Sequence, residues 1–221
     1  MSARAPEPSA PRPSGGPTLV VVARTAEVLG APGADERALA GWERHRLARV
    51  RVPARRDDVL AARLLLRWCA ARVTGRPAHQ VELDQHCPDC DRAGHGRPFL
   101  PRRPGLGISL SHADGLVAAA AGPGRVGVDV EPYGRVPPGR ALVRRRFPAA
   151  DGAAPRGHRS PEPDALTLWV EAEARFKAGD PAPPAHSWHD PLRAARAAVA
   201  CADGWRLAEA AGLAPGAAAF G

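Results

Sequence analysis

Cysteine, lysine and aromatic residues are all scarce in this sequence, and each scarcity argues against a class of protein or a role. The four cysteines, Cys69, Cys87, Cys90 and Cys201, are too few and too scattered for a disulfide framework in a chain of 221 residues. No apolar run approaches the roughly 18 residues that a membrane-spanning helix needs. A disulfide-rich secreted domain and an integral membrane protein are therefore disfavoured, and we expect a reducing, cytoplasmic setting.

Lysine is almost absent from the basic residues. Among 31 lysines and arginines, Lys177 is the single lysine. The frequent use of arginine, alanine and proline suggests GC-rich coding, which replaces lysine wherever arginine serves as well. Arginine stays protonated in proteins, whereas lysine can lose its proton when its pKa is depressed. Lys177 is thus a candidate for work that arginine cannot do, although chance survival on a surface gives the same count.

The formal net charge is +8, which indicates an anionic partner such as a nucleic acid, a membrane, a phosphorylated ligand or an acidic protein. The arginines are spread along the chain, which favours a small phosphorylated ligand and an acidic protein over a DNA-binding arm. Aromatic residues make up only 5% and do not alternate with basic ones. A nucleic-acid-binding module, which would bind RNA or DNA in a salt-dependent way, remains a disfavoured alternative.

Predicted strands and helices alternate irregularly along the chain, which indicates an α+β fold. Residues 1–16 are polar and proline-rich, without the apolar segment of a secretory signal, and we expect a disordered leader. The predicted strands are Thr18–Ala23, Gln80–Leu83, Leu106–Leu110, Leu116–Ala121, Arg125–Glu131 and Ala217–Phe220. The predicted helices are Glu36–Arg49, Asp57–Val73, Arg140–Phe147 and Asp164–Ala178, with loops at 84–97 and 148–163 and a turn at Ser111–Gly115.

Two carboxylates share one face of the clearest predicted strand, Arg125–Glu131. Because successive side chains of a strand alternate, Asp129 and Glu131 point away from the three valines of the same strand. Like charges side by side repel unless a cation or a shifted pKa relieves them. Carboxylate oxygens suit Mg²⁺ shared with substrate phosphates, so this face is a candidate metal site, with a solvated acidic face as the alternative.

The last predicted helix carries a third candidate carboxylate. Glu173 lies on the apolar stripe between Trp169 and Phe176, and Lys177 follows it by one turn. A carboxylate on such a stripe is costly unless it is paired or metal-bound. An ordinary surface pair between Glu173 and Lys177 is the simpler alternative. Glu171 lies off the stripe and is expected to be solvated.

Four short motifs follow one another along the chain, and none of them is specific alone. They are Gly96-Arg97-Pro98, Ser109-Leu110-Ser111-His112, Gly127-Val128-Asp129-Val130-Glu131 and the helix residues Trp169, Glu173, Ala174 and Lys177, with Arg146-Phe147 ahead of the helix. In this order and at these gaps they resemble the 4′-phosphopantetheinyl transferases that activate non-ribosomal peptide and polyketide synthases. The resemblance covers roughly residues 55–179.

The resemblance implies two pseudo-duplicated α+β lobes, here residues 17–122 and 123–221, with coenzyme A in the cleft between them. It also implies that the protein moves 4′-phosphopantetheine from coenzyme A to a serine of an acyl or peptidyl carrier protein, with Mg²⁺, and releases 3′,5′-ADP. The implied Mg²⁺ ligands are Asp129, Glu131 and Glu173. The implied coenzyme A contacts are Arg97 at the nucleotide, Ser111 and His112 at the 3′-phosphate, and Lys177 near the reacting phosphate.

In such a transfer, negative charge builds on the phosphate and leaving oxygens, so positioning and electrostatics dominate. A base must also take the proton of the carrier serine. Glu173 is the candidate general base, acting directly or through water, and Lys177 is the alternative proton donor on the leaving side. We expect a monomer whose protein partner is an acidic carrier protein.

Two positions depart from the pattern of the family. Ala172 stands where the family has a basic residue before the helix glutamate, and Asp58 stands where it has an arginine that approaches coenzyme A phosphates. Arg55, Arg56 and Arg63 are candidates to compensate. These departures motivate a second hypothesis, a catalytically impaired paralogue that binds coenzyme A or a carrier protein without transfer.

A loop rich in cysteine and histidine offers two thiols and two imidazoles, from Cys87, Cys90, His86 and His95. Zinc binds such donors. A structural zinc site usually has a second, separated ligand pair, and the adjacent His86 and Cys87 are poorly placed to share one ion. A reduced surface loop is the alternative interpretation.

Overall fold

The computed structural model describes residues 16–87, 90–139 and 164–215, and this part of the chain is α+β, as the sequence predicts. The strands are β1 Thr18–Arg24, β2 Asp84–Cys87, β3 Arg92–Ala93, β4 Arg97–Phe99, β5 Leu106–Ala113, β6 Leu116–Pro123, β7 Gly127–Pro132, β8 Ala185–Asp190, β9 Ala195–Ala200 and β10 Trp205–Leu207. The α-helices are α1 Thr25–Leu29, α2 Gly41–Leu47, α3 Pro53–Thr74 and α4 Ala165–Ala178.

Three sheets organise the described residues. The first has the order β10-β1-β6-β5, in which β10 runs parallel to β1 and the other pairs are antiparallel. The second is the small antiparallel sheet β3-β2-β4, and the third is the antiparallel sheet β7-β9-β8. The amide nitrogen of Val128 donates to Ser109 Oγ at 3.1 Å, so β7 lies beside β5 and joins the first and third sheets.

The core is built in layers by the alternation of side chains along the strands. Leu19 and Val21 of β1 pack in one cluster with α3, which contributes the fully buried Trp68. Val20 and Val22 point to the opposite face, where they pack against the valines and alanines of β7 and β9. A third cluster joins α4 to the outer face of β9. The order of layers is therefore α3, first sheet, third sheet and α4.

The two main predicted helices are confirmed, although α3 begins at Pro53, four residues before its predicted start at Asp57. Helix α3 begins with Pro53 in its first turn, and it ends at Gly75, whose φ of 66° is the left-handed conformation that glycine adopts without strain. Helix α4 begins after Asp164, whose carboxylate accepts a hydrogen bond from the amide of Thr167 at 2.7 Å.

Several predicted elements are wrong at their boundaries or in kind. The helix predicted at 36–49 divides into a 3₁₀ turn, Glu36–Ala38, and α2, because the buried Leu39 and the extended Ala40 interrupt it. The strand predicted at 80–83 is not formed, because Val81 and Leu83 pack into the core without a ladder partner. Strands β2, β3 and β4 occupy the segment predicted to be a loop.

The turn predicted at Ser111–Gly115 is shorter than expected. Strand β5 continues through Ala113, so Ser111 and His112 belong to the strand. Asp114 and Gly115 alone connect β5 to β6, with φ values of 44° and 84°. Positive φ at both central residues is typical of a two-residue hairpin turn that matches the strand twist.

Some predictions fall on residues that the structure does not describe. They are the helix Arg140–Phe147, the loop at 148–163, the strand Ala217–Phe220 and all but the last residue of the predicted leader. The division into lobes at residues 122 and 123 stays a prediction. In the described residues, no helix combines the length and the apolar character that crossing a membrane requires.

Candidate functional site

Helix α4 crosses strand β7 directly above Gly127. A Cβ atom at this position would overlap the carbonyl oxygen of Ala174 and would lie 2.7 Å from the amide nitrogen of Ala178. Only glycine allows the helix backbone to come this close. The contact fixes the height and register of α4 over β7, and so decides which helix residues face Asp129.

Lys177 is the helix residue that reaches Asp129. Its Nζ lies 2.6 Å from Asp129 Oδ1 and 2.9 Å from Ser111 Oγ, and the Ser111 hydroxyl donates to the same carboxylate oxygen at 2.7 Å. The Asp129 side chain is only 5% exposed, whereas that of Lys177 is 26% exposed. The single lysine of the chain therefore pairs with a buried acid and is not a free surface residue.

Glu131 lies two residues farther along the same face of β7. Its Oε1 accepts a hydrogen bond from the indole of Trp169 at 3.2 Å, and Arg135 Nε lies 3.7 Å from its Oε2. Burial raises the pKa of this carboxyl above its ordinary value, and the negative charge of Asp129 adds to the rise. The Trp169 hydrogen bond, Arg135 and Lys177 oppose the rise without cancelling it. The neighbouring positive charges therefore do not fully offset the burial of the Glu131 carboxylate and its repulsion by Asp129.

The expectation that Val128 and Val130 face away from Asp129 and Glu131 is confirmed, since both valines pack in the core between the sheets. One oxygen of each acid lacks a hydrogen bond. Asp129 Oδ2 and Glu131 Oε2 are both buried and accept no hydrogen bond. Buried carboxylate oxygens of this kind are costly unless something positive completes them. Two such oxygens on one strand face suit a hard divalent cation, so the donor set fits Mg²⁺.

Glu173 occupies the α4 position between the two residues that contact these acids. It lies one turn after Trp169, which contacts Glu131, and one turn before Lys177, which contacts Asp129. Helical spacing thus puts Glu173 on the side of α4 that faces the two β7 acids, Asp129 and Glu131. The three acids are not drawn around one point, because Asp129, Glu131 and Glu173 do not form a set whose ligand atoms all lie within 4.8 Å of one another.

A cleft of about 980 Å³ opens beside this interface. Its walls come from α1, the start of α3, the β5–β6 turn and the end of β7, and Glu131, Arg135, His112 and Arg55 are among its lining residues. A volume of this size holds a large cofactor or nucleotide. Glu131 therefore connects the acid pair to the cleft.

His112 lines the cleft, whereas Ser111 is buried in the network of Asp129 and Lys177. Burial is the largest influence on the pKa of His112 and lowers it below its ordinary value. The negative charge of Asp58 opposes this effect, and the positive charges of Lys177 and Arg55 reinforce it. The imidazole is thus neutral near pH 7, with one N–H available to donate to a ligand.

Asp58, one of the two positions that depart from the resembled motifs, has a structural role in this chain. Its carboxylate accepts hydrogen bonds from the hydroxyl of Thr25 and, at 3.2 Å, from the amide nitrogen of Gly115. It is 6% exposed and ties the start of α3 to α1 and to the β5–β6 turn. Asp58 therefore shapes the rear wall of the cleft and adds no positive charge there.

Of the arginines expected to compensate for Asp58, only one lines the cleft. Arg63 is buried and donates to Glu43 at 2.8 Å, and Arg56 pairs with Glu36. Both guanidinium groups are therefore paired with acids of the segment before α3, one in the 3₁₀ turn and one in α2. Arg55 lines the cleft and is exposed, so it is the basic residue of this group that a ligand can reach.

Three further residues singled out in the sequence lie on or near α4: Ala172, Glu171 and Arg97. Ala172 is 1% exposed, so α4 uses this position for packing. Arg97 of β4 donates to the carbonyl oxygen of Phe176 at 3.3 Å, near the end of α4 and outside the lining of the 980 Å³ cleft. Glu171 is not a solvated acid, because it accepts a hydrogen bond from Ser187 Oγ at 2.7 Å.

Two contributors to the site have no clear signal in the sequence. Arg135 approaches Glu131 from the segment after β7, and no local pattern predicts that direction. Gly127 belongs to one of the four sequence motifs, but its need to be glycine arises from the backbone of α4, 47 residues later at Ala174.

Compared with known protein families and with curated proteins, the sequence matches none of them.

Proposed function

We propose that this protein transfers 4′-phosphopantetheine from coenzyme A to a serine of an acyl or peptidyl carrier protein, in an Mg²⁺-dependent reaction that releases 3′,5′-ADP. One observation carries the proposal: the buried acids Asp129 and Glu131 each have an oxygen that accepts no hydrogen bond, beside Lys177 and at the edge of a cleft of about 980 Å³. The ordered motifs support the same reading. The proposal includes the two pseudo-duplicated lobes of the transferase fold.

Asp129 and Glu131 would hold Mg²⁺, and Glu173, whose carboxylate is not gathered with theirs in the described structure, would join them when the ion is bound. When bound, the ion would supply positive charge to the pyrophosphate of coenzyme A and stabilise the charge that develops there. The raised pKa of Glu131 and the two buried oxygens that accept no hydrogen bond support this assignment, because both indicate negative charge that the described side chains neutralise only in part.

The cleft residues would bind and orient coenzyme A. Arg55 offers a permanent positive charge at the cleft wall, and His112 offers an N–H from a neutral ring. Asp58 holds the β5–β6 turn in place through Gly115, which fixes the direction of His112 at the end of β5. Binding energy from these remote contacts positions the reacting phosphate at the acid end of the cleft.

The residues of α4 would act at the reacting centre. Lys177 carries its charge on a compact ammonium group already oriented by Asp129 and Ser111, so it is pre-organised to stabilise the leaving phosphate oxygen or to protonate it. Glu173, one turn away, is the candidate to accept the proton of the carrier serine. The serine oxygen forms the new bond to phosphorus as the bond to the 3′,5′-ADP oxygen breaks.

The carrier protein and the setting belong to the proposal as well. A net charge of +8 suits an acidic carrier protein and a phosphorylated co-substrate. We propose a monomer that works in the cytoplasm.

Transfer of a fluorescent label from labelled coenzyme A to apo carrier proteins of fatty-acid, polyketide and peptide synthesis tests the proposal. The protein should label at least one carrier with Mg²⁺ and none with excess EDTA. Glu173→Ala should abolish labelling while preserving the thermal transition, whereas Glu82→Ala, which alters an exposed acid paired with Arg102, should label at the wild-type rate. Absence of transfer to every carrier would count against an active transferase.

A catalytically impaired paralogue is the second candidate. The observation that favours it is Asp58, a buried acid facing Thr25 and Gly115 where the family has a phosphate-binding arginine. Calorimetry separates the two functions, because an impaired paralogue binds coenzyme A or a carrier without turnover. Measurable transfer under the same conditions rejects this candidate.

A further inference from the structure

The segment between β2 and β4 brings together three potential metal ligands that do not belong to the acid site. One ligand atom each from Cys87, Cys90 and His95 lies within 4.8 Å of the other two, and Cys90 Sγ is 3.1 Å from His95 Nε2. Among the described residues, this is the one set of three or more Cys, His, Asp or Glu ligands that meets this distance. All cysteines in the structure are reduced.

Backbone contacts hold the three ligands in place. The amide of Asp91 donates to the carbonyl oxygen of Cys87 at 2.9 Å, and Asp91 has a φ of 55°, which turns the chain back after Cys90. Gly96 has a φ of 87°, and a Cβ there would lie 2.8 Å from the amide nitrogen of Cys87. These contacts therefore fix the described backbone on both sides of the cysteine pair.

The histidine next to the cysteine pair is directed elsewhere. His86 Nε2 lies 2.9 Å from Asp91 Oδ1, and the set of ligands contains His95 in its place. Adjacent residues such as His86 and Cys87 are poorly placed to bind one ion, but the set of ligands in the structure does not include His86.

We propose that Cys87, Cys90 and His95 bind a zinc ion. Two thiolates and one imidazole are the donors that zinc prefers over Mg²⁺ or Ca²⁺, and the ion is usually tetrahedral. The protein supplies three ligands, and a solvent molecule or an exogenous ligand takes the fourth position because Cys90 is exposed. Binding releases the two thiol protons to solvent, so the affinity falls as the pH is lowered.

The ion would stabilise the small sheet and, through it, the end of α4. Cys87 ends β2, whose partner β4 carries Arg97. Arg97 donates to the carbonyl oxygen of Phe176, the neighbour of Lys177. Zinc at the loop thus has a structural role, and its existence does not depend on the proposed transferase function.

Metal binding by the full-length protein tests the site directly. Protein treated with chelator and reductant, then dialysed with zinc, should retain about one zinc per chain by mass spectrometry of metals. Substitution with Co²⁺ should give the intense thiolate charge-transfer absorption and the visible bands of tetrahedral cobalt. Zinc should also raise the melting temperature, because a ligand that binds only the folded state stabilises it.

Single variants and matched controls locate the site. Cys90→Ser and His95→Asn should lower zinc retention at least about tenfold, whereas Cys201→Ser and His79→Asn should bind zinc like the wild type. Cys90 is exposed, so its serine variant should fold, and circular dichroism checks this. Failure of the reduced wild-type protein to take up zinc, or unchanged uptake by folded Cys90→Ser, overturns the proposal.

Discussion

The ammonium nitrogen of Lys177 lies 2.6 Å from Oδ1 of Asp129, so the single lysine of the chain contacts the buried acid of strand β7. The two residues are 48 positions apart and belong to different elements. Ser111 completes the contact from a third element, β5. A cation held between a buried acid and a strand hydroxyl has a fixed direction, which is the property that a phosphate-stabilising group needs.

Two replacements of Lys177 distinguish the contribution of its positive charge from that of its compact ammonium group. Lys177→Ala should lower the free energy of unfolding by roughly 3 kcal/mol, because it leaves a buried carboxylate without its cation. Lys177→Arg should preserve most of the stability but lower label transfer by about 10²-fold or more, since the planar guanidinium does not reproduce the compact ammonium. Urea unfolding in EDTA and the transfer assay measure the two effects. Full activity in Lys177→Arg would show that positive charge alone is needed.

Gly127→Ala should disrupt the contact between α4 and β7. The added methyl group meets the backbone of α4 at Ala174, which cannot move without displacing Lys177. We therefore expect the free energy of unfolding to fall by about 1–3 kcal/mol. Gly134→Ala is the matched control, because a Cβ there has no atom within 4 Å. Thermal unfolding of both variants measures the effect, and equal melting temperatures would contradict the close approach.

Glu131→Gln should make stability less sensitive to pH. The folded-state pKa of Glu131 is raised, so its contribution to stability is fully present below the unfolded pKa and is lost as the pH rises through the folded pKa. The variant keeps an oxygen for the Trp169 hydrogen bond and lacks the buried charge. It should therefore be more stable than the wild type at pH 7, with the difference disappearing toward pH 4.

The same pair of proteins reports on the acid site. If the buried charge binds Mg²⁺, the ion should raise the melting temperature of the wild type and have little effect on Glu131→Gln. Scanning fluorimetry across pH and Mg²⁺ concentration measures both dependences. A wild type that gains stability as the pH rises from 4 to 7, relative to Glu131→Gln, would reverse the sign and reject this interpretation.

Asp58→Ala should destabilise the protein because it removes the carboxylate whose two oxygens accept hydrogen bonds from Thr25 and Gly115. Leaving these two donors unpaired costs about 1–3 kcal/mol. Asp57→Ala, at the neighbouring exposed position, should change stability by less than about 0.5 kcal/mol. Calorimetric unfolding measures both. A neutral Asp58→Ala would indicate that the buried acid has no structural role.

Local sequence signals predicted several elements correctly. The alternation of valines with Asp129 and Glu131 gave the two faces of β7, and the spacing of α4 placed Trp169 and Lys177 on one side. These predictions concern which side of a strand or helix a residue occupies. The regular side-chain period of each element decides that side, so a few neighbouring residues are enough to predict it. Asp164 as the helix cap is of the same kind.

Strands without an apolar pattern escaped prediction. Strands β2, β3 and β4 lie in a segment rich in charged and turn-forming residues, and β8 contains two histidines and an aspartate. Their backbone hydrogen bonds are made to partners that the fold supplies, so side-chain periodicity carries little information about them.

The sequence by itself determined the residue types of the site, namely two acids on one strand face, an acid and a lysine on one helix face, and a cysteine pair beside histidines. Only the tertiary structure decided that Lys177 pairs with Asp129, that Asp58 turns inward to Thr25, and that His95 joins the cysteines in place of His86. The physical reason is that local spacing fixes the direction of a side chain within its own element. Which elements meet, and at what height, depends on packing between distant segments, as at Gly127 under α4.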